Sequence, residues 1–232
     1  MDNFSKVIVA LDQLSSEEVF THSKKSFDEF SIFKIGLELF NKHGIDFVNE
    51  VQKDLQKEIF LDLKLHDIPN TVFNAIKSLA ETSPKFLTIH LTGGTKMIES
   101  ALRARDQFLP NTKILGVSYL TSLSDEDFLE IWGDSNKERL FEMAFKIATK
   151  SKIDGVVCSP HELQMLSKVA PDLIKVTPGI RMDSSKEDDQ SRTLPPSKAL
   201  AAGSDFLVIG RPLRDPSQKE LILNDLSSYF AQ

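Results

Sequence analysis

Cysteine is almost absent from this chain. Cys158 stands alone, so no intrachain disulfide can form and no zinc site built from several cysteines exists. Beside Val156-Val157 it reads as a small buried hydrophobe. Long apolar runs are absent too: none reaches the roughly 18 residues that a membrane-spanning helix needs. The first residues, Met1-Asp-Asn-Phe-Ser-Lys-Val-Ile-Val-Ala-Leu11, lack a basic region followed by a long apolar stretch and a small-residue cleavage site. A soluble, cytoplasmic protein is expected. Positive charge is in deficit, and a formal net charge of −6 argues against a general affinity for nucleic acid or anionic membrane while leaving room for a local basic pocket. Nor does the composition break anywhere as a linker would, which predicts one domain over residues 1–232.

What is present is enough apolar residue, 41% of 232, for a full core. Short β-branched or aromatic runs alternate with helical patterns. The strand candidates are Lys6–Leu11, Ser31–Ile35, Glu58–Leu63, Phe86–His90, Lys113–Val117, Ile153–Val157, Leu173–Thr177 and Asp205–Ile209. Amphipathic segments lie between them at Ser15–Phe27, Phe40–Gln56, Asn70–Ala80, Thr95–Gln107, Lys137–Lys150 and Pro160–Val169, and Ser217–Phe230 closes the chain. Ser15 with Glu18 forms a capping-box pattern, and Pro160 after Ser159 suits a first helical turn. Eight βα units in sequence predict an α/β fold, a (β/α)₈ TIM barrel, with a doubly wound sheet as the alternative.

Four charged or titratable side chains cluster in Asp62-Leu-Lys-Leu-His-Asp-Ile-Pro-Asn-Thr71, directly after the apolar run Ile59-Phe60-Leu61. On a strand, a period of two puts Asp62 and Lys64 on one face, roughly 6.6 Å apart along the backbone, with Leu61 and Leu63 on the other. Pro69 then opens a helix, so the charges gather where a strand turns into a helix. Charged residues at strand ends are commonly solvated ion pairs worth about 0–1 kcal/mol, and this stretch alone does not decide between the two readings.

In a TIM barrel, sites form at the C-terminal ends of the strands, with phosphate often held after the seventh and eighth. Polar residues do gather there: Asp12, Lys34, Asp62 and Lys64, His90 with Thr92-Gly-Gly94, Ser118 to Thr121, Thr177 to Arg181, and Gly210-Arg-Pro212. Lys34 lies inside an apolar strand, where a buried ammonium needs a carboxylate, and Asp62 on the next strand is the obvious partner. The Pro-Gly-Ile-Arg181 and Gly-Arg211 stretches combine glycines that let an anion approach the backbone with guanidinium groups suited to phosphate oxygens. A phosphate monoester is the natural ligand. Met182–Lys198, long and polar, reads as a mobile loop that could close over it and offer the Gln190 amide.

Several of these stretches together resemble the orotidine 5′-phosphate decarboxylase family of the bacterial type. They are Val9-Ala-Leu-Asp12, Phe33-Lys-Ile-Gly36, Phe60 to Thr71, Val176 to Arg181 and Val208-Ile-Gly-Arg211. The resemblance implies a homodimer of (β/α)₈ barrels that converts orotidine 5′-monophosphate to UMP and CO₂ in pyrimidine biosynthesis without metal or organic cofactor. It implies that Lys64 is the proton donor, that Asp62 and Lys34 complete its charge network, and that Asp67, Ile68 and Thr71 reach the other subunit's active site. Asp12 would hold the ribose and Thr121 the base region, with Ser118 nearby. Arg181, Gln190, Gly210 and Arg211 would hold the phosphate.

The chemistry agrees with these residue types. Loss of CO₂ leaves a carbanion on an sp² ring carbon, so the protein must stabilise that charge with a fixed cation and then supply a proton. Related barrel lyases acting on hexulose or keto-gulonate phosphates share the Asp-x-Lys-x-x-Asp arrangement but use Mg²⁺ and carry a carboxylate where this chain has Lys34. An ammonium there would repel a divalent cation. A phosphate-binding sensor would need the grip but not the buried charges.

Overall fold

A computed structural model describes residues 4–120, 122–182 and 193–231 of the chain. Its strands are β1 (Val7–Ala10), β2 (Ile32–Gly36), β3 (Glu58–Leu65), β4 (Phe86–His90), β5 (Lys113–Val117), β6 (Gly155–Val157), β7 (Ile174–Thr177) and β8 (Phe206–Ile209). All neighbours are parallel and β8 pairs with β1, so the eight strands close into a barrel. The helices are α1 (Ser16–Lys25), α2 (Leu37–Leu55), α3 (Pro69–Ser78), α4 (Gly94–Phe108), α5 (Asp125–Trp132), α6 (Lys137–Ser151), α7 (Leu163–Val169), α8 (Pro196–Ala201) and α9 (Pro216–Phe230).

The period of two decides what faces where. Ile8, Ile32, Phe60, Phe86, Leu115 and Val176 point inward and form an apolar plug across the barrel, with Phe60 and Phe86 edge to face at 5.8 Å. Their strand neighbours, such as Val7, Phe33, Leu61, Leu87 and Ile114, point outward into a second core beneath the helices. Burying each such side chain is worth roughly 1.5–3 kcal/mol. Two residues beyond the plug, the inward positions are Ala10, Lys34, Asp62, Thr88 and Val117. The same alternation that fills the barrel therefore sets a layer of polar side chains on an apolar floor, at the C-terminal ends of the strands.

Local signals account for most boundaries. The Ser15 hydroxyl accepts from the Glu18 amide at 3.2 Å while the Glu18 carboxylate accepts from the Ser15 amide at 2.8 Å, which is the expected capping box. Pro69 occupies the first turn of α3. Two helices were not expected from the sequence. α5 begins at a second capping box, Ser124 with Asp127, and packs Phe128 and Trp132 on Tyr119. α8 places Pro196–Lys198, expected as loop, in a helix, because Ala199 and Leu200 bury and Ser197 bonds Asp225 of α9 through both its amide and its hydroxyl. Of the rest of the loop expected over 182–198, residues 183–192 lie outside the described residues, and Leu194 forms a parallel bridge with Ile180.

β3 departs from a regular strand. Its pairing with β4 shifts register between Leu61 and Leu65, so that Asp62, Leu63 and Lys64 lie opposite Thr88 alone. Lys64 has φ +49°, left-handed backbone that a residue with a Cβ seldom adopts.

Candidate active site

Above the polar layer opens a cavity of about 390 Å³, lined by Asp12, Lys34, Asp62 and Lys64 from the ends of the first three strands and by Arg181 and Arg211 from the ends of the last two. That volume lies within the range of small-molecule sites. Four charged side chains from three consecutive strand ends form one chain of contacts along its wall. Lys34 Nζ donates to Asp12 Oδ1 and Oδ2 at 3.0 and 2.8 Å and lies 3.4 Å from Asp62 Oδ2. The other oxygen of Asp62, Oδ1, accepts from Lys64 Nζ at 2.7 Å. Cations and carboxylates thus alternate in the order Asp12, Lys34, Asp62, Lys64. Asp12, at the end of β1, is the closer partner of Lys34, where the sequence suggested Asp62.

Burial and charge act in opposition here. Burial disfavours the ammonium of Lys34, but the Asp62 and Asp12 carboxylates outweigh it and hold its pKa above the ordinary lysine value. Burial likewise pushes the Asp62 carboxyl up, and the Lys34 and Lys64 charges, with hydrogen bonds from Lys64 and Thr88, overcome that and hold it below the usual carboxylate range. Both groups therefore carry their charges at neutral pH. At the end of β4, the His90 ring packs against His66, the two tilted by 40° with ring centres 5.1 Å apart. Burial, the His66 ring and the Lys64 charge lower its pKa to about 4, so it is a neutral imidazole at physiological pH. The cavity wall also includes Cys158, whose thiol burial pushes far up, which rules it out as a thiolate nucleophile at neutral pH.

Two residues that carry no charge lie against the array. Gly36 faces it, and a Cβ there would come within 2.5 Å of Asp12 Oδ1 and 3.2 Å of Lys34 Nζ, so only glycine leaves room for that ion pair. Thr88, fully buried, accepts from the Lys64 amide at 2.9 Å and donates to Asp62 Oδ1 at 3.0 Å. Arg214, after β8, lines the cavity and donates to the main-chain carbonyl of Asp12. The signal for Gly36 was present in Lys-Ile-Gly36. Thr88 reads in sequence as an ordinary β-former, and Arg214 as one more surface cation.

The last two strand ends complete the rim. Gly179 has φ +77°, a turn open to glycine, and brings Arg181 to the cavity, where its amide donates to Leu194 O at 3.0 Å. Gly210 and Arg211 follow β8 and line the same rim. The remaining expected site residues are not brought to this cavity. Asp67, Ile68 and Thr71 are exposed outside the cavity, Ile68 with 66% of its surface in solvent, and the Asp67 carboxylate accepts from the Ile68 amide at 2.6 Å. Ser118 is buried and does not line the cavity, because its neighbour Val117 takes the inward position; Tyr119 and Leu120 line it instead. Thr121 and Gln190 lie outside the described residues.

Residues 5–221 match the family model described as orotidine 5′-phosphate decarboxylase / HUMPS family. The chain is 38% identical over 227 residues to an orotidine 5′-phosphate decarboxylase of Marinomonas sp., covering 97% of this chain and 96% of that protein. It is 41% identical over 211 residues to one of Staphylococcus aureus, covering 89% and 90%. Among solved structures, orotidine 5′-phosphate decarboxylase from Lactobacillus acidophilus superposes with a TM-score of 0.80 at 35% identity over 96% of this chain and 99% of that one. An uncharacterized conserved protein from Geobacillus kaustophilus also gives 0.80, at 30% identity over 95% and 99%.

Proposed function

The chain belongs to the orotidine 5′-phosphate decarboxylase / HUMPS family and decarboxylates orotidine 5′-monophosphate to UMP in pyrimidine biosynthesis; we propose that it does so through the Asp12–Lys34–Asp62–Lys64 array, with Lys64 as the acid. The observation that carries this reading is the position of the Lys64 ammonium, bonded to Asp62 at 2.7 Å, on the wall of a cavity whose rim carries Arg181 and Arg211. Phosphate bound at that rim would direct the pyrimidine toward the ammonium. The bond from the ring carbon to the carboxylate carbon breaks, CO₂ leaves, and the electron pair stays on the ring carbon. Lys64 Nζ–H gives its proton to that carbon, and the amine left behind regains one from solvent.

The array suits this step because it is fixed before the charge develops. A preorganised ammonium stabilises a carbanion without the reorganisation that water would need. Asp62 anchors it and in this reading borders the departing carboxylate. Lys34 fills the space between Asp12 and Asp62 that a divalent cation would otherwise occupy, which favours a metal-free, cofactor-free reaction. Asp12 is assigned to the ribose, and Arg181, Gly210 and Arg211 to the phosphate, whose binding energy holds the ring in place. We further assign Asp67, Ile68 and Thr71 to the site of a second subunit in a cytoplasmic homodimer of single-domain barrels. Their exposure outside their own cavity supports this.

Lys64→Ala separates chemistry from binding. Turnover of orotidine 5′-monophosphate is expected to fall by at least the 10²–10⁴-fold typical of a lost general acid, roughly, while UMP affinity stays within about threefold, since the phosphate and ribose contacts lie on other strands. A variant with near-normal kcat ends the assignment of Lys64 as the acid.

A further inference from the structure

Lys64 occupies an unusual backbone position, and one side chain accounts for it. With φ +49° and the β3–β4 register shifted around it, Lys64 does not place its amide in the regular ladder; the amide donates instead to the Thr88 hydroxyl at 2.9 Å. The same hydroxyl donates to Asp62 Oδ1 at 3.0 Å, and that oxygen also accepts from Lys64 Nζ at 2.7 Å. The contacts close a ring that runs from the Lys64 amide through Thr88 and Asp62 to the Lys64 ammonium and back along its own side chain. Thr88 itself cannot drift. It is fully buried, and the β4–β5 ladder is regular on both sides of it, from Phe86 opposite Lys113 to His90 opposite Val117.

We propose that Thr88 is a positioning residue, whose hydroxyl holds Lys64 in its left-handed bulge and so aims the ammonium into the cavity. A hydroxyl suits this place because it accepts from an amide and donates to a carboxylate at once, which neither an apolar side chain nor a carboxylate can do. Without it, Asp62 loses a donor and the part-buried Lys64 amide loses its acceptor. Lys64 then relaxes toward ordinary strand geometry, and a side chain misplaced by about 1 Å can lower a rate by on the order of 10²-fold. The effect on turnover rests on Lys64 being the proton donor; the effect on the backbone does not.

The test compares Thr88→Val, which keeps shape and removes the hydroxyl, with Thr88→Ser, which keeps the hydroxyl. In Thr88→Val, kcat for orotidine 5′-monophosphate is expected to fall by ten- to a hundredfold, roughly, with KM and UMP affinity unchanged. Thr88→Ser should recover to within about threefold of wild type, on the same scale. Amide exchange at Lys64, read by NMR, should be slow in wild type and Thr88→Ser and at least tenfold faster in Thr88→Val, roughly. Equal loss in the Ser and Val variants would mean that packing matters and the hydroxyl does not. An unchanged Lys64 amide in Thr88→Val overturns the proposal whatever the kinetics. If wild type fails to turn over the substrate while the exchange pattern holds, the functional reading fails and the positioning role stands. Should Thr88→Val not fold, Thr88→Cys carries the same comparison, since a thiol is a poor donor and acceptor.

Discussion

At the scale of single residues, the proposed mechanism divides the site into groups that would meet the reacting atoms and groups that would hold the substrate far from them, and the two classes should fail differently. Arg211 belongs to the second class. It stands on the cavity rim beside Gly210. Arg211→Ala is expected to raise KM for orotidine 5′-monophosphate by roughly ten- to a hundredfold, the equivalent of a lost charged hydrogen bond worth about 1.5–3 kcal/mol. Turnover of unphosphorylated orotidine should scarcely change, because the partner of the lost guanidinium is missing there. Steady-state kinetics on both substrates decides the matter: equal losses on the two would make Arg211 a structural residue with no special relation to phosphate. Lys34, Asp62 and Lys64 were legible in the sequence for a simple reason. A charge in an apolar strand run must have a partner, and a period of two says which face it shares. Thr88 could not be found that way. A threonine among Phe86, Leu87, Ile89 and His90 satisfies strand propensity, and only the register shift of the neighbouring strand gives its hydroxyl a task.

At the scale of elements, the strands were legible because their period and β-branched content survive in short runs, while α5 and α8 were not. α5 is brief and begins in a polar run, Ser124-Asp-Glu-Asp127, that reads as loop until its capping box is recognised. α8 begins at the second of two consecutive prolines after a polar segment, and tertiary packing on α9 rather than propensity makes it a helix. The junction of β3 with α3 carries the most distinctive sequence, and its two halves point different ways: Lys64 into its own cavity, Asp67 and Ile68 out to solvent. If the outward half completes a partner's site, Lys64→Ala and Asp67→Ala proteins are each nearly inactive alone. Mixed with subunit exchange, about half of the dimers are hybrids, and half of their sites are free of both lesions. Activity then recovers to about a quarter of wild type. With exchange verified by mass spectrometry of tagged chains, absence of recovery rules out the shared site, because every site would then carry one lesion.

At the scale of the whole molecule, one architecture combines three features that the proposed carbanion mechanism calls for. The inner plug closes the barrel beneath the site, the first strand ends hold a fixed array of alternating charge, and the last two hold a pair of guanidinium groups on the same cavity. The (β/α)₈ barrel was legible from the eight-fold alternation of strand and helix signals, and its polar end from where the charges fall along each strand. Nothing in the chain's pattern marks a membrane segment, and no helix among the described residues is long and apolar enough to cross a membrane. The central claim is that the protein's own ammonium does the work elsewhere given to a metal or cofactor. The most direct measurement follows the absorbance of orotidine 5′-monophosphate with purified enzyme after exhaustive treatment with EDTA, with UMP identified as the product. The charge array predicts turnover at the full rate of untreated enzyme, with no gain on adding Mg²⁺. Turnover that disappears with EDTA and returns with Mg²⁺ would contradict it.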